Sequence, residues 1–114
     1  MRKPKEILDD HLYLSKHGTV DEDLERNFSE DLVLLTTFGV FKGHKGMKLL
    51  AKRLREELPS MTFKYKNILV EGEVAFLEWS ADSESTYVED GADSYVIRDG
   101  KIVAQTIHYT LRHK

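Results

Sequence analysis

The segment that decides the fold lies near the C-terminus and runs Asp93-Ser94-Tyr95-Val96-Ile97-Arg98-Asp99-Gly100-Lys101-Ile102. Its side chains alternate, so that one face carries Asp93, Tyr95 and Ile97 and the other carries Ser94, Val96 and Arg98. An Asp-Gly pair between two such runs is a strong hairpin signal. The segment therefore predicts two antiparallel strands joined by a tight turn.

The length of that turn decides which residues of the second strand share a face with Asp93. If residues 98–100 form a three-residue loop with glycine in the left-handed conformation, Asp93 pairs with Gln105. The shared face then carries Val103, Gln105, Ile107, Tyr109 and Leu111. If Asp99-Gly100 is a two-residue turn, the register moves by one and the face carries Ala104, Thr106 and His108. We favour the first alternative because it groups the bulky apolar residues on one side.

The period-two pattern begins at about Met61 and predicts four strands, at 62–70, 74–87, 92–98 and 102–111. Short turn signals separate them: Glu71-Gly72-Glu73, Asp90-Gly91 and Asp99-Gly100. This half of the chain is predicted to be an antiparallel meander.

The N-terminal half has the period of helices. One helix is predicted from Pro4 to Gly18, and a second, capped by Thr19 and Glu22, to about Asn27. After a strand at 32–36 and a glycine-rich loop, the third helix has an apolar face of Met47, Leu50, Leu54 and Leu58. The order α-α-β-α-β-β-β-β predicts one α+β domain over 1–114, with three helices packed on one face of a curved antiparallel sheet.

Two segments carry a resemblance to a known family. The run Phe28-Ser29-Glu30-Asp31 before the first strand, and the segment 93–102, are similar to the SnoaL-like, or nuclear-transport-factor-two-like, superfamily, which includes ketosteroid isomerases and polyketide cyclases. The resemblance implies a cystatin-like cone that encloses a pocket. It does not imply one activity, because this scaffold hosts many.

Composition narrows the function classes. The net charge is −3 with interspersed signs and no basic stripe, which argues against nucleic-acid binding. No apolar run suggests a leader or a membrane span, so we expect a cytoplasmic protein. The chain has no cysteine, and its five histidines lack metal-ligand spacing. We expect neither a metal nor a cofactor.

Asp93 is the candidate catalytic residue. On a face with Trp79, Tyr95, Ile107 and Tyr109 its carboxyl group would be desolvated, which raises the pKa and suits a general acid, a general base or an oxyanion donor. The resemblance implies a match to an oxyanion-hole aspartate of ketosteroid isomerases. However, the proton-shuttling aspartate of those enzymes matches Thr36, and the acid–base residue of the cyclases matches Ile107. Steroid isomerisation is therefore not expected.

The remaining candidates are ligand-binding residues: Tyr13, Thr36, Trp79, Tyr95, Gln105 and Tyr109. The aromatic rings suit a flat or amphipathic molecule, and Gln105 needs a polar partner, either Asp93 or a ligand. His108 is expected on the surface or at a dimer interface. Three hypotheses follow: a domain that binds a small apolar or amphipathic molecule, an acid–base enzyme that uses Asp93, and a dimeric association module. A homodimer is expected.

Overall fold

A computed structural model describes residues 1–114, and it places three helices where the apolar periodicity predicts them: α1 (Pro4–His17), α2 (Val20–Asn27) and α3 (Gly43–Glu57). The predicted capping box of α2 is present, because Thr19 Oγ1 accepts from the Glu22 amide at 3.1 Å while the Glu22 carboxylate accepts from the Thr19 amide. Fully buried side chains of α1 and α3, among them Ile7, Leu8 and Leu50, pack on the sheet. The α+β class is confirmed.

Seven strands form one curved sheet. They are β1 (Phe28–Thr36), β2 (Gly39–Lys42), β3 (Thr62–Glu71), β4 (Val74–Asp82), β5 (Thr86–Arg98), β6 (Lys101–His108) and β7 (Arg112–His113). The spatial order is β2-β1-β6-β5-β4-β3, with β7 paired to β5. No helix is long and apolar enough to cross a membrane.

The sheet is mixed, whereas the sequence predicted a fully antiparallel one. β1 pairs with β6 in parallel and all other pairs are antiparallel. The reason is topological. After the β1–β2 hairpin, α3 carries the chain to the far edge of the sheet, and the four-strand meander then returns so that β6 reaches β1 in the same direction.

Two loop predictions were wrong. Residues 39–42 form strand β2 and not part of a loop. Asp90-Gly91 is not a turn but lies inside β5, and the β4–β5 turn falls at residues 83–85, where the Ser83 amide donates to the Thr86 carbonyl oxygen at 2.9 Å. Gly91 is required here because a Cβ atom at this position would overlap the Trp79 indole.

The last hairpin combines features of both predicted registers. Asp99 (φ 52°) and Gly100 (φ 80°) form a two-residue turn, so Ile97 pairs with Ile102 and not with Lys101. An irregularity at Val103 then moves the register by one residue, and Asp93 pairs with Ile107 and not with Gln105. This bulge returns the alternation of side chains along β6 to the one that a three-residue loop would give. The Asp93 side therefore buries Gln105, Ile107 and Tyr109, and His108 is exposed on the other side.

Candidate functional site

A cavity of about 480 Å³ lies between the three helices and the concave face of the sheet. All three helices and strands β3, β4, β5 and β6 contribute side chains to it. Its wall is mostly apolar, including Leu12, Leu24, Met47, Leu54, Leu58 and Leu77. A largely apolar cavity with a few polar groups is the usual form of a small-molecule site.

Asp93 is the central polar residue of this cavity and is 8% exposed. Its Oδ1 accepts a hydrogen bond from Trp79 Nε1 at 3.0 Å. Its Oδ2 accepts from Gln105 Nε2 at 3.1 Å and from the Tyr95 hydroxyl at 3.4 Å. The cluster joins β4, β5 and β6, so its geometry is set by the sheet.

Burial raises the pKa of Asp93 to about 6. The hydrogen bonds from Trp79, Gln105 and Tyr95, together with nearby His11, oppose this shift because they stabilise the charged carboxylate. Burial outweighs them. A carboxyl group with such a pKa exchanges its proton near neutral pH, as an acid–base residue must.

Two buried polar atoms of the cavity wall lack a hydrogen-bond partner. They are Gln105 Oε1 and the Tyr109 hydroxyl. Burial raises the pKa of Tyr109, and the nearby Glu57 carboxylate raises it further, so the hydroxyl stays protonated. Both residues line the cavity, and these two atoms are enclosed in its wall.

A second polar pair in the wall was missed by the sequence analysis. His11 of α1 and Asp23 of α2 are both buried, and His11 Nδ1 lies 2.7 Å from Asp23 Oδ2. Asp23 Oδ1 accepts from Asn27 Nδ2 at 2.9 Å. The available signal was the position of His11, between Ile7 and Leu12 on the apolar side of α1, where an ionisable side chain is unusual.

Aromatic rings form much of the rest of the wall. The Trp79 ring centroid lies 5.7 Å from that of Tyr109 and 5.6 Å from that of Phe63. Burial raises the pKa of Tyr65 to about 12, and its hydroxyl donates to the Leu12 carbonyl oxygen at 3.4 Å. These faces suit contact with a flat apolar molecule.

Five of the predicted site residues meet in the cavity: Trp79, Asp93, Tyr95, Gln105 and Tyr109. Tyr13 does not, because it lies on the solvent side of α1, is 62% exposed and packs on the His17 ring at 4.9 Å. Thr36 does not either. It ends β1, and its hydroxyl donates to the Gly39 carbonyl oxygen and accepts from the Phe38 amide, so it stabilises the β1–β2 turn.

The sequence profile of the SnoaL-like domain matches residues 14–105, and the chain belongs to this family. The match spans most of the cavity wall, from Leu14 to Gln105. Among curated proteins, none matches the sequence significantly.

Solved structures share the fold at low sequence identity. An NTF2-like protein of unknown function from Burkholderia xenovorans LB400 is 18% identical, with coverage of 94% of this chain and 82% of that chain and a TM-score of 0.77. A candidate polyketide cyclase from Sinorhizobium meliloti is 17% identical (94% and 100% covered, TM-score 0.75). IdmH, a candidate polyketide cyclase from Streptomyces antibioticus, is 15% identical (95% and 92% covered, TM-score 0.74). At these identities the likeness extends to the fold alone.

Proposed function

We propose that this chain binds a small, largely apolar molecule that carries at least one hydrogen-bonding group. The observation that supports this most directly is the pair of unpartnered buried atoms, Gln105 Oε1 and the Tyr109 hydroxyl. Buried polar atoms without partners cost about 1–3 kcal/mol each and are uncommon in native proteins. A ligand hydroxyl or carbonyl group would supply the missing partners.

The rest of the cavity supports a flat ligand. The Trp79 ring lies within 6 Å of the Phe63 ring and of the Tyr109 ring, and the helices contribute aliphatic side chains to the same cavity. A volume of about 480 Å³ is within the usual range for small-molecule sites. An aromatic alcohol or ketone of two or three fused rings fits this chemistry.

Paired probes test the proposal. We expect 2-naphthol to raise the melting temperature more than naphthalene does, because only the alcohol can bond the free polar atoms. Tyr109→Phe should reduce this difference, since it removes one hydroxyl and retains the ring. Tyr13→Phe is the matched control, because Tyr13 lies outside the cavity. No melting shift with any planar alcohol or ketone would contradict the proposal.

Acid–base catalysis on the bound molecule is the second candidate function. The raised pKa of Asp93, in an apolar cavity beside unpaired polar groups, favours it. A protonated Asp93 can donate a hydrogen bond to a ligand oxygen on which negative charge develops. If Asp93 serves catalysis, Asp93→Asn removes turnover and leaves ligand binding largely intact.

We also propose that the chain self-associates through the outer face of the sheet. The face opposite the helices carries an apolar band with members on β1 to β5 but none on β6: Leu35, Val40, Leu69, Val74, Phe76 and Val96. No element of the chain covers this band, and four of its members are between 48% and 62% exposed. Exposed apolar patches of this kind mark association surfaces.

A further inference from the structure

The His11–Asp23 pair has the arrangement of a positioned general base. Asp23 Oδ1 accepts a hydrogen bond from Asn27 Nδ2, and Asp23 Oδ2 is hydrogen-bonded to His11 Nδ1. A carboxylate only accepts hydrogen bonds, so Nδ1 must carry the imidazole proton. When the imidazole is neutral, the other ring nitrogen, Nε2, carries the lone pair, and the ring makes no other hydrogen bond within the chain.

The surroundings hold this imidazole in one orientation. The His11 ring lies edge-to-face against Phe28, with centroids 5.1 Å apart, and against Tyr95, at 5.7 Å. Behind Asp23, the Asn27 amide also donates to Asp10, and Arg2 donates to Asn27 Oδ1 at 2.8 Å. The pair is thus anchored from outside the cavity by a network of hydrogen bonds.

The same pair lies next to the Asp93 cluster. His11 and Asp23 both line the cavity, and the Tyr95 ring that contacts His11 carries the hydroxyl that donates to Asp93. A molecule bound in the cavity would therefore lie next to an imidazole from the helices and hydrogen-bonding groups from the sheet. These are the two requirements for removing a proton next to a carbonyl group.

We propose that His11, positioned by Asp23, is the proton acceptor of this cavity, and that it acts on a carbon acid whose carbonyl oxygen accepts hydrogen bonds from the protonated Asp93 carboxyl group and the Tyr109 hydroxyl. This inference rests on the proposed function, since it requires the ligand to occupy the cavity. Asp23 is the positioning residue.

The step is a proton transfer without redox change. His11 Nε2 takes the proton from a C–H bond next to the carbonyl group. The electron pair of that bond forms the C=C bond of an enolate, and the negative charge moves to the oxygen. The imidazolium, stabilised by Asp23, then returns a proton to carbon, and a solvent deuteron replaces the original proton when the reaction runs in deuterium oxide.

The probe is 2-tetralone, an apolar bicyclic ketone with one aromatic ring and acidic C–H bonds. Its binding is followed by the indole N–H resonance of Trp79, the only tryptophan, which reports on the Asp93 cluster. Its exchange is followed by the loss of the proton signals next to the carbonyl group in deuterium oxide. We expect the protein to accelerate exchange above the buffer rate, and His11→Gln to lower the protein-dependent rate at least about 100-fold.

The exposed pair His108 and Asp90 provides the matched control. His108 Nε2 lies 3.9 Å from Asp90 Oδ2 on the outer face, so His108→Gln removes a histidine of the same chain without touching the cavity. This variant should exchange 2-tetralone at the wild-type rate. Equal exchange rates for wild type and a folded His11→Gln variant would overturn the inference.

A spectroscopic measurement on the wild-type protein tests the positioning and does not depend on whether variants fold. Long-range ¹H–¹⁵N spectra should show His11 as the tautomer protonated on Nδ1, and Asp23→Asn should lose this preference while exchange slows. A wild-type His11 protonated only on Nε2 contradicts the inference.

The two proposals fail in different ways. A shifted Trp79 resonance with no protein-dependent exchange overturns the role of His11 and leaves ligand binding in place. No shift with 2-tetralone, 2-naphthol or any planar ketone or alcohol overturns the proposed function, and the role of His11 with it.

Discussion

Asp93 holds its proton more tightly in the folded protein than in the unfolded chain, because burial raises its pKa from 3.8 to about 6. Proton binding therefore favours the fold below about pH 4, and this advantage is lost as the pH rises to 6. We expect the free energy of unfolding to fall by about 2 kcal/mol between pH 4 and pH 7 through Asp93 alone. Asp93→Asn should lack this component, which urea unfolding of both proteins at pH 4 and pH 7 measures.

Asp90→Asn is the control for that experiment, because the pH dependence of Asp90 has the opposite sign and lies mostly below pH 4. Hydrogen bonds from Thr110 lower the pKa of Asp90, so its contribution is present above the ordinary aspartate pKa and is lost as the pH falls. Parallel pH profiles for wild type and Asp93→Asn would show that the Asp93 carboxyl group is not desolvated.

The alternation of side chains along β5 was sufficient to predict Asp93 as a buried carboxyl residue. Tyr95 and Ile97 lie on the same face of the strand as Asp93 and are apolar or aromatic. This alternation could not predict the His11–Asp23 pair. The two residues lie on different helices, and only the packing of α1 against α2 brings them to 2.7 Å. Tyr13 was misplaced because a step of one residue rotates about 100° around a helix. Leu12 therefore faces the cavity while Tyr13 is exposed.

Gly91 was interpreted as a turn residue, but its role is close packing. A methyl group at this position would overlap the Trp79 indole, which is buried and donates a hydrogen bond to Asp93. We expect Gly91→Ala to destabilise the fold by about 1–3 kcal/mol and to shift the Trp79 fluorescence. In a double-mutant cycle with Trp79→Leu, the cost of Gly91→Ala should shrink; an unchanged cost would mean that the strain lies elsewhere.

Helix α2 depends on its first turn, and α2 carries Asp23. Thr19→Ala removes the acceptor for the Glu22 amide and should lower the free energy of unfolding by about 1 kcal/mol. Thr37→Ala, at an exposed turn position, is the control. It should change the free energy of unfolding by no more than about 0.5 kcal/mol. Chemical denaturation of the two variants at neutral pH distinguishes them, and equal stabilities would exclude a capping role for Thr19.

Elements with a strong local signal were predicted closely, as α2 and its cap show. The final hairpin was harder. Asp99-Gly100 forms the tight turn. The irregularity at Val103 then moves the register by one residue, so the same side chains of β6 face inward as with a three-residue loop. Local propensity cannot locate such a bulge. It is favoured by the burial of Ile102 on one side of it and of Gln105 and Ile107 on the other.

The sheet order decides which residues share the cavity, and this order was only partly predictable. Hairpin signals indicate the meander β3-β4-β5-β6, but no local pattern shows that β6 pairs in parallel with β1. That pairing places Leu34 beside Gln105 and brings the α1–α2 end of the chain over the concave face. The cavity is therefore a property of the whole fold.

The outer face of the sheet gives a prediction for the whole molecule. Its apolar band is the same on every copy, so a two-fold axis would bury both bands against each other. We expect a dimer in light scattering, and a monomer when Val74→Lys and Val96→Lys place two charges on adjacent strands within the band. Leu49→Lys is the matched control, since Leu49 is equally exposed but lies on α3. A wild-type monomer at high protein concentration, or a dimer that Leu49→Lys alone dissociates, would show that the sheet face is not the contact.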